Sequence, residues 1–235
     1  MEIYLDTAEV DEVRAAAELG VLRGVTTNPS HMMKAGHRDL EQAIKLLCAV
    51  SDVPVSAEVT AVATEDMLRQ AREIATWAPN VVVKFPTTTE GLKAMAVFSR
   101  EEHEARSADG RAVRRRVPIN ATVIFSPGQA AAASLAGASY VSPFLGRLDS
   151  VGQEGLRLVR DVAEIFRVQG VETKIISAAL RNPIHVIESW KAGAHICTMS
   201  SAVLEQLLHH PLTDQAVEQF TRDWQQLQAT EPTNV

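Results

Sequence analysis

Short apolar runs rich in Val, Ile and Thr alternate with longer stretches of helical periodicity, and the alternation repeats eight times along the chain. Eight segments carry the strand pattern: Ile3–Asp6, Gly24–Asn28, Val53–Val59, Val81–Phe85, Pro118–Phe125, Tyr140–Leu145, Lys174–Ala178 and His195–Ser200. Each is too short for a helix. Helices fall between them. Thr64 is placed to N-cap one, with Glu65 and Asp66 in its first turn and Leu68, Ala71 and Ala75 on its inner face. Ser126-Pro127 and Asn182-Pro183 each put a capping side chain before a proline suited to the first helical position. Gly137 and Gly193 stand where helix C-caps belong, just ahead of the next strand.

Two stretches stand apart from the repeat. Ser99–Arg116 is strongly charged and reads as an extended helix end plus a loop around Ala108-Asp109-Gly110. Its run Arg114-Arg115-Arg116 reads as a solvated loop or subunit rim, in preference to an anion site. A tail helix over roughly Thr213–Leu227 carries Ala216, Phe220, Trp224 and Leu227 on one face. With eight units already counted, that stripe must pack elsewhere on its own barrel or on a neighbouring subunit.

Eight β-then-α units in 235 residues predict an α/β protein, a single (β/α)8 TIM barrel domain over residues 1–235 with an additional C-terminal helix. A doubly wound sheet usually has five or six strands and a Gly-rich phosphate turn after the first. Here Leu5-Asp6-Thr7-Ala8 follows the first strand, and the chain contains no GxGxxG. No linker rich in Pro, Gly or Ser divides it.

Composition narrows the function. Apolar residues make up 46% and charged residues 22%, ordinary for a globular protein. A net charge of −6 argues against a nucleic-acid partner while leaving room for a local cationic pocket. Cys48 and Cys197 lie in apolar stretches, as buried thiols in a reducing cytoplasm would. No Cys/His spacing suggests zinc, and the histidines fall in helices, in loops or at the wrong end of a strand, so no metal is expected. The start, MEIYLDTAEVDEV, is acidic, unlike a signal peptide. No run approaches the ~20 apolar residues of a membrane span. A cytoplasmic protein without a membrane partner is expected.

In such a barrel the active site gathers at the C-terminal ends of the strands. Polar residues cluster there: Asp6, Asn28, Glu58, Lys84, Thr122 and Ser142, with Arg147 and Arg181 following the sixth and seventh strands. Lys84 is the most informative, being enclosed in Val81-Val-Val-Lys-Phe-Pro86. A buried ammonium must be paired or lose its proton, and burial lowers a lysine pKa. A neutral amine attacks ketones to give a Schiff base. Two readings therefore stand at this point, a catalytic lysine or one paired to Asp6 or Glu58. The same two acids suit general acid/base work beside an imine, or merely neutralise the lysine. Thr122 either holds a water with Glu58 or simply packs. Arg147 and Arg181 either converge on an anionic group as bidentate donors or are surface arginines.

Specific signatures bear on the choice. Asp6-Thr-Ala, Gly24-Val-Thr-Thr-Asn-Pro-Ser30, Val55-Ser-Ala-Glu-Val59, Val81-Val-Val-Lys-Phe-Pro86, Ser142-Pro-Phe-Leu-Gly-Arg-Leu-Asp149, Leu180-Arg-Asn-Pro183 and His210-Pro-Leu-Thr-Asp214 occur in order from Met1 to about Trp224. Together they resemble the small transaldolase family, which includes the fructose-6-phosphate aldolases. The resemblance implies Lys84 as the Schiff-base lysine and Asp6 as acid/base for the C4 hydroxyl. It implies Glu58 and Thr122 as holders of the catalytic water. Asn28, with Thr26 in the same motif, would bind substrate, and Ser142, Phe144, Arg147 and Arg181 would line the phosphorylated end. It further implies no cofactor, sugar-phosphate substrates, and a ring-shaped homo-oligomer, a pentamer or decamer, whose C-terminal helix reaches a neighbour.

Within that family, glutamate at position 58 with phenylalanine at 144 is the transaldolase combination, where the aldolases carry glutamine and tyrosine. Three features depart from the family pattern: Ala179 where a phosphate-binding serine is usual, Met199-Ser200-Ser201, and the long charged stretch Ser99–Arg116. They leave open another anionic sugar, such as a sulfosugar. An aldolase releasing free dihydroxyacetone and a catalytically silent sugar-phosphate binder are the rival functions.

Overall fold

The computed structural model describes residues 1–107 and 110–229. In chain order the strands are β1 (Glu2–Asp6), β2 (Leu22–Thr26), β3 (Val55–Glu58), β4 (Val81–Pro86), β5 (His103–Arg106), β6 (Ala112–Arg115), β7 (Ile119–Ile124), β8 (Tyr140–Pro143), β9 (Lys174–Ser177) and β10 (Ile196–Met199). All but β5 and β6 close into a parallel barrel in sequence order, with β10 returning to pair β1. The helices are α1 (Val10–Glu18), α2 (Pro29–Lys34), α3 (Leu40–Val50), α4 (Thr64–Ile74), α5 (Thr89–Phe98), α6 (Pro127–Leu135), α7 (Leu145–Asp149), α8 (Gly155–Gln169), α9 (Pro183–Lys191), α10 (Ser201–Leu208) and α11 (Pro211–Ala229). The architecture is a (β/α)8 barrel with a C-terminal helix, as the eightfold alternation predicts.

Period-two alternation sorts each strand's side chains between two cores. Outward residues such as Val25, Val83, Phe85, Ile119 and Ile175 are buried against helix residues including Leu47, Met67, Met95, Phe98 and Val159. Inside the barrel, Tyr4, Tyr140, Ile176 and Ile196 pack into a separate apolar floor. Burial, reinforced by the neighbouring Tyr140, raises the Tyr4 phenol well above its ordinary value. A Cβ at Gly24 would lie 2.3 Å from the Tyr4 ring, so the floor requires glycine there. Two positions beyond each floor residue, on the same strand face, come Asp6, Ser142, Ala178 and Thr198. The barrel interior therefore turns from apolar to polar toward the strands' C-terminal ends.

Caps follow the sequence closely. Ser126 Oγ accepts from Gln129 N and Asn182 Oδ1 from His185 N, each with the expected proline next. Gly137 and Gly193 adopt φ of 94° and 101°, the left-handed conformation that closes a helix. Thr64 is a correction: it is the first residue of α4, after an N-cap at Ala63, and its hydroxyl turns to the carboxylate and carbonyl of Glu90 instead. The tail helix also begins earlier and ends later than its apolar stripe indicates, spanning Pro211–Ala229.

The larger correction is Ser99–Arg116. It forms an antiparallel hairpin, β5 pairing β6 with Ala105 opposite Val113. The expected loop at Ala108 and Asp109 lies outside the described residues. Nor is the Arg114–Arg116 run uniformly solvated. Arg114 pairs with Glu102, while Arg115 turns inward and donates to the carbonyls of Val81 (2.9 Å) and Ala78 (3.4 Å). Burial lowers the Arg115 guanidinium from its ordinary value. His103 stacks on Phe98, with ring centroids 4.7 Å apart. These contacts pin the hairpin over the N-terminal ends of the strands, away from the polar mouth.

Candidate active site

Register brings the polar residues together. Glu58 and Lys84 are Cα partners across β3 and β4, Lys84 and Asn120 across β4 and β7, and Asp6 and Thr26 across β1 and β2. Lys84 is buried, its Nζ 3.0 Å from Glu58 Oε2 and donating to the Thr27 carbonyl at 3.1 Å. Lys84 and Glu58 both also line the open space above them.

That space is a cavity of about 430 Å³ lined by Asp6, Thr26, Asn28, Glu58, Lys84, Ser142, Phe144 and Arg147, among others. Asp6 Oδ1 accepts from Thr26 Oγ1 at 2.8 Å, and the Thr26 hydroxyl also meets Thr198 at 2.6 Å. Asn28 caps α2 by accepting from His31 N at 3.0 Å, which commits Oδ1 and leaves its Nδ2 as a donor. Ser142 Oγ donates to Asn120 Oδ1 at 2.7 Å, and Asn120 Nδ2 donates to Ser56 Oγ at 3.2 Å. This chain runs across the polar interior from β8 to β3. Phe144 stands edge-on to Phe125, centroids 5.9 Å apart, as one wall of the cavity.

Two expected residues stand differently from the rest. Thr122 does not line this cavity; it is fully buried, its hydroxyl lacking a hydrogen-bond partner. Its carbonyl is held by both the backbone N–H and the hydroxyl of Thr87. Arg181 is exposed and also outside the lining set, yet its Nε passes within 3.1 Å of where a Cβ on Gly146 would lie. The demand for glycine at 146 comes chiefly from the Ala179 carbonyl, 2.1 Å from that Cβ position, and the Arg181 side chain lies against the same turn of α7.

The strand ends are conformationally strained. Val123 and Ala179 both line the cavity with φ of 59° and 58°, a region that costs a non-glycine residue of the order of 1–3 kcal/mol. At Val123 the cause is a register break between β7 and β8, after which Ile124 pairs Pro143. Asn120, Thr198 and His31 add to the residues singled out in the sequence. Asn120 carried a signal, since it lies two positions before Thr122 and so on the same strand face. Thr198 likewise follows the floor residue Ile196 by two. His31 carried none beyond its place beside the Asn28 motif. Among the described residues no group of three or more His, Cys, Asp or Glu is placed to hold a metal ion.

The assembled chemistry is a buried amine, a carboxylate in contact with it, a second carboxylate across the cavity, and an arginine at the rim. Comparison with known proteins gives the same direction. A sequence profile of the transaldolase/fructose-6-phosphate aldolase family matches residues 3–231. A probable transaldolase of Methanococcus maripaludis is 48% identical over 225 residues, 96% of this chain and 98% of its own. One of Clostridium perfringens is 46% identical over 224 residues, 95% and 97% of the two chains. One of Herpetosiphon aurantiacus is 44% identical over 227 residues, 97% and 96%. The chain belongs to the transaldolase/fructose-6-phosphate aldolase family of enzymes.

Proposed function

We propose that this single-domain enzyme is a transaldolase that moves a dihydroxyacetone unit from a ketose phosphate to an aldose phosphate through a Schiff base on Lys84. The observation that carries the reading is the Lys84–Glu58 contact of 3.0 Å at the base of a cavity that Asp6 also lines. Glu58 takes the proton that the ammonium must lose before it attacks C2 of the ketose. The carbinolamine then loses water to give the imine, with Glu58 and the unpartnered Thr122 hydroxyl holding that water. Asp6 removes the C4 hydroxyl proton, the C3–C4 bond breaks, and its electron pair enters the imine to form an enamine. The phosphorylated aldehyde leaves. The enamine adds to the carbonyl of the incoming aldose, which recovers the proton from Asp6, and hydrolysis frees Lys84. Asn28, Thr26 and Ser142 supply hydroxyl partners, Phe144 a wall, and Arg147 with Arg181 the anionic end. No cofactor is needed, because the imine itself is the electron sink.

Fructose 6-phosphate as donor and erythrose 4-phosphate as acceptor are the pair to assay together and apart. Glyceraldehyde 3-phosphate formed from fructose 6-phosphate only when the acceptor is present supports transfer; turnover without the acceptor makes the enzyme an aldolase. Ala179 lines the cavity without a hydroxyl to offer, which favours a second reading of the donor's anionic group, a sulfonate in place of phosphate.

The enzyme works as a pentamer or decamer in the cytoplasm. Helix α11 supports assembly: none of its described residues is buried, and Leu212, Val217, Phe220, Trp224 and Leu227 are exposed along it. The two free, buried cysteines suit a reducing compartment, with burial pushing both thiols up to about 12. Among the described residues no helix is long and apolar enough to cross a membrane.

A further inference from the structure

His31 lines the same cavity as Asp6 and Lys84 but has no part in the reaction just described. It sits in α2, where its backbone N–H is already taken by the Asn28 side chain, so its ring is free to be oriented by the cavity. The ring Nδ1 lies 3.7 Å from Asp6 Oδ1. That is too long for a hydrogen bond. Nδ1 is shielded from solvent and has no other hydrogen-bond partner, while the side chain as a whole is 23% exposed toward the mouth. A shielded polar nitrogen without a partner is costly, and the usual resolution at a binding site is a ligand atom.

The placement of the groups says which atom. Lys84 is nearly buried at the base, Asp6 and His31 stand side by side above it with equal exposure, and the exposed Lys34 also lines the cavity. A ketose bound through C2 at Lys84, with its C4 hydroxyl at Asp6, runs outward past that pair. Hydroxyl oxygens on neighbouring carbons stand about as far apart as Asp6 Oδ1 and His31 Nδ1. We infer that His31 is a specificity-determining residue whose ring hydrogen-bonds the C5 hydroxyl of the ketose, which is the α-hydroxyl of the acceptor aldehyde. The inference rests on the transaldolase reading of the site.

Its test compares glyceraldehyde with 3-hydroxypropanal as acceptors of the unit carried on Lys84 from fructose 6-phosphate. The two aldehydes differ in the α-hydroxyl alone. Losing one hydrogen bond to a substrate hydroxyl changes kcat/KM by roughly tenfold. The preference for glyceraldehyde, read as the ratio of the two kcat/KM values, is therefore expected to fall about tenfold in His31→Leu and to recover in His31→Gln, which keeps a polar group at that place. A packing role alone would lower both rates together and leave the ratio where it was. An unchanged ratio in His31→Leu, with Lys84 still trapped by borohydride in the presence of fructose 6-phosphate, overturns the assignment of His31 and leaves the transaldolase reading standing. Failure to trap Lys84 in the unaltered enzyme overturns both.

Discussion

Lys84 and Glu58 meet at 3.0 Å across adjacent parallel strands on which they are register partners, so the sheet delivers both side chains to one level of the mouth. Their contact joins two roles that the sequence offered as alternatives, since the carboxylate that neutralises the lysine is also the nearest base to it.

Lys84→Met keeps an unbranched chain in the strand and removes the amine. Turnover of fructose 6-phosphate with erythrose 4-phosphate should fall about 10³-fold or more, with no borohydride-stable adduct by intact mass. Asp6→Asn should separate the steps. Transfer falls by roughly 10²–10⁴-fold, while the adduct on Lys84 still forms.

Glu58→Gln keeps the shape of the side chain and removes its charge. Glutamine at this position is part of the combination of the aldolases that the chain resembles, which sets the direction of the change. The ratio of free dihydroxyacetone to transferred product should rise by about tenfold, measured with and without acceptor. An unchanged ratio would mean that the residue at 58 does not separate the two activities.

Acid should destabilise the fold through His103. Its side chain is 10% exposed, and burial holds its pKa below the ordinary 6.5 despite Glu101 nearby. The unfolded chain thus binds this proton more readily than the folded one. Stability is full above pH 6.5 and declines as pH falls through that value toward the lower folded pKa. Urea midpoints between pH 7.5 and 5.5 should show this decline, and His103→Phe, which keeps the stack on Phe98, should flatten it.

Arg115→Met keeps the length of the stem and removes the guanidinium that donates to the carbonyls of Ala78 and Val81. A loss of about 1–3 kcal/mol by urea denaturation is expected. Because the hairpin lies at the opposite end of the barrel from Lys84, KM for fructose 6-phosphate should stay the same.

Much of this was legible in the chain. Strands such as Val81–Pro86 are buried on both faces and so are nearly pure apolar runs, against which a single lysine stands out. The hairpin was not legible, because Glu104, Arg106, Arg114 and Arg115 swamp the alternation that Ala105 and Val113 carry. The break at Val123 was hidden for another reason: a β-branched residue at positive φ contradicts its own local preference and is held there by neighbouring strands. Asn120 was legible in principle, through the same two-residue spacing that marks Thr122. His31 is not legible, because a lone histidine in the first turns of a short helix looks in the chain like any surface imidazole.

Among the described residues, the apolar floor of Tyr4, Tyr140, Ile176 and Ile196 closes the barrel beneath the site, which opens at the strands' C-terminal ends. Under the proposed chemistry the first aldehyde must leave by the passage through which the second enters, so the two cannot occupy the site together. The kinetics are then of the double-displacement kind, with parallel lines in reciprocal plots. Each substrate at high concentration would inhibit by occupying the form of the enzyme meant for the other.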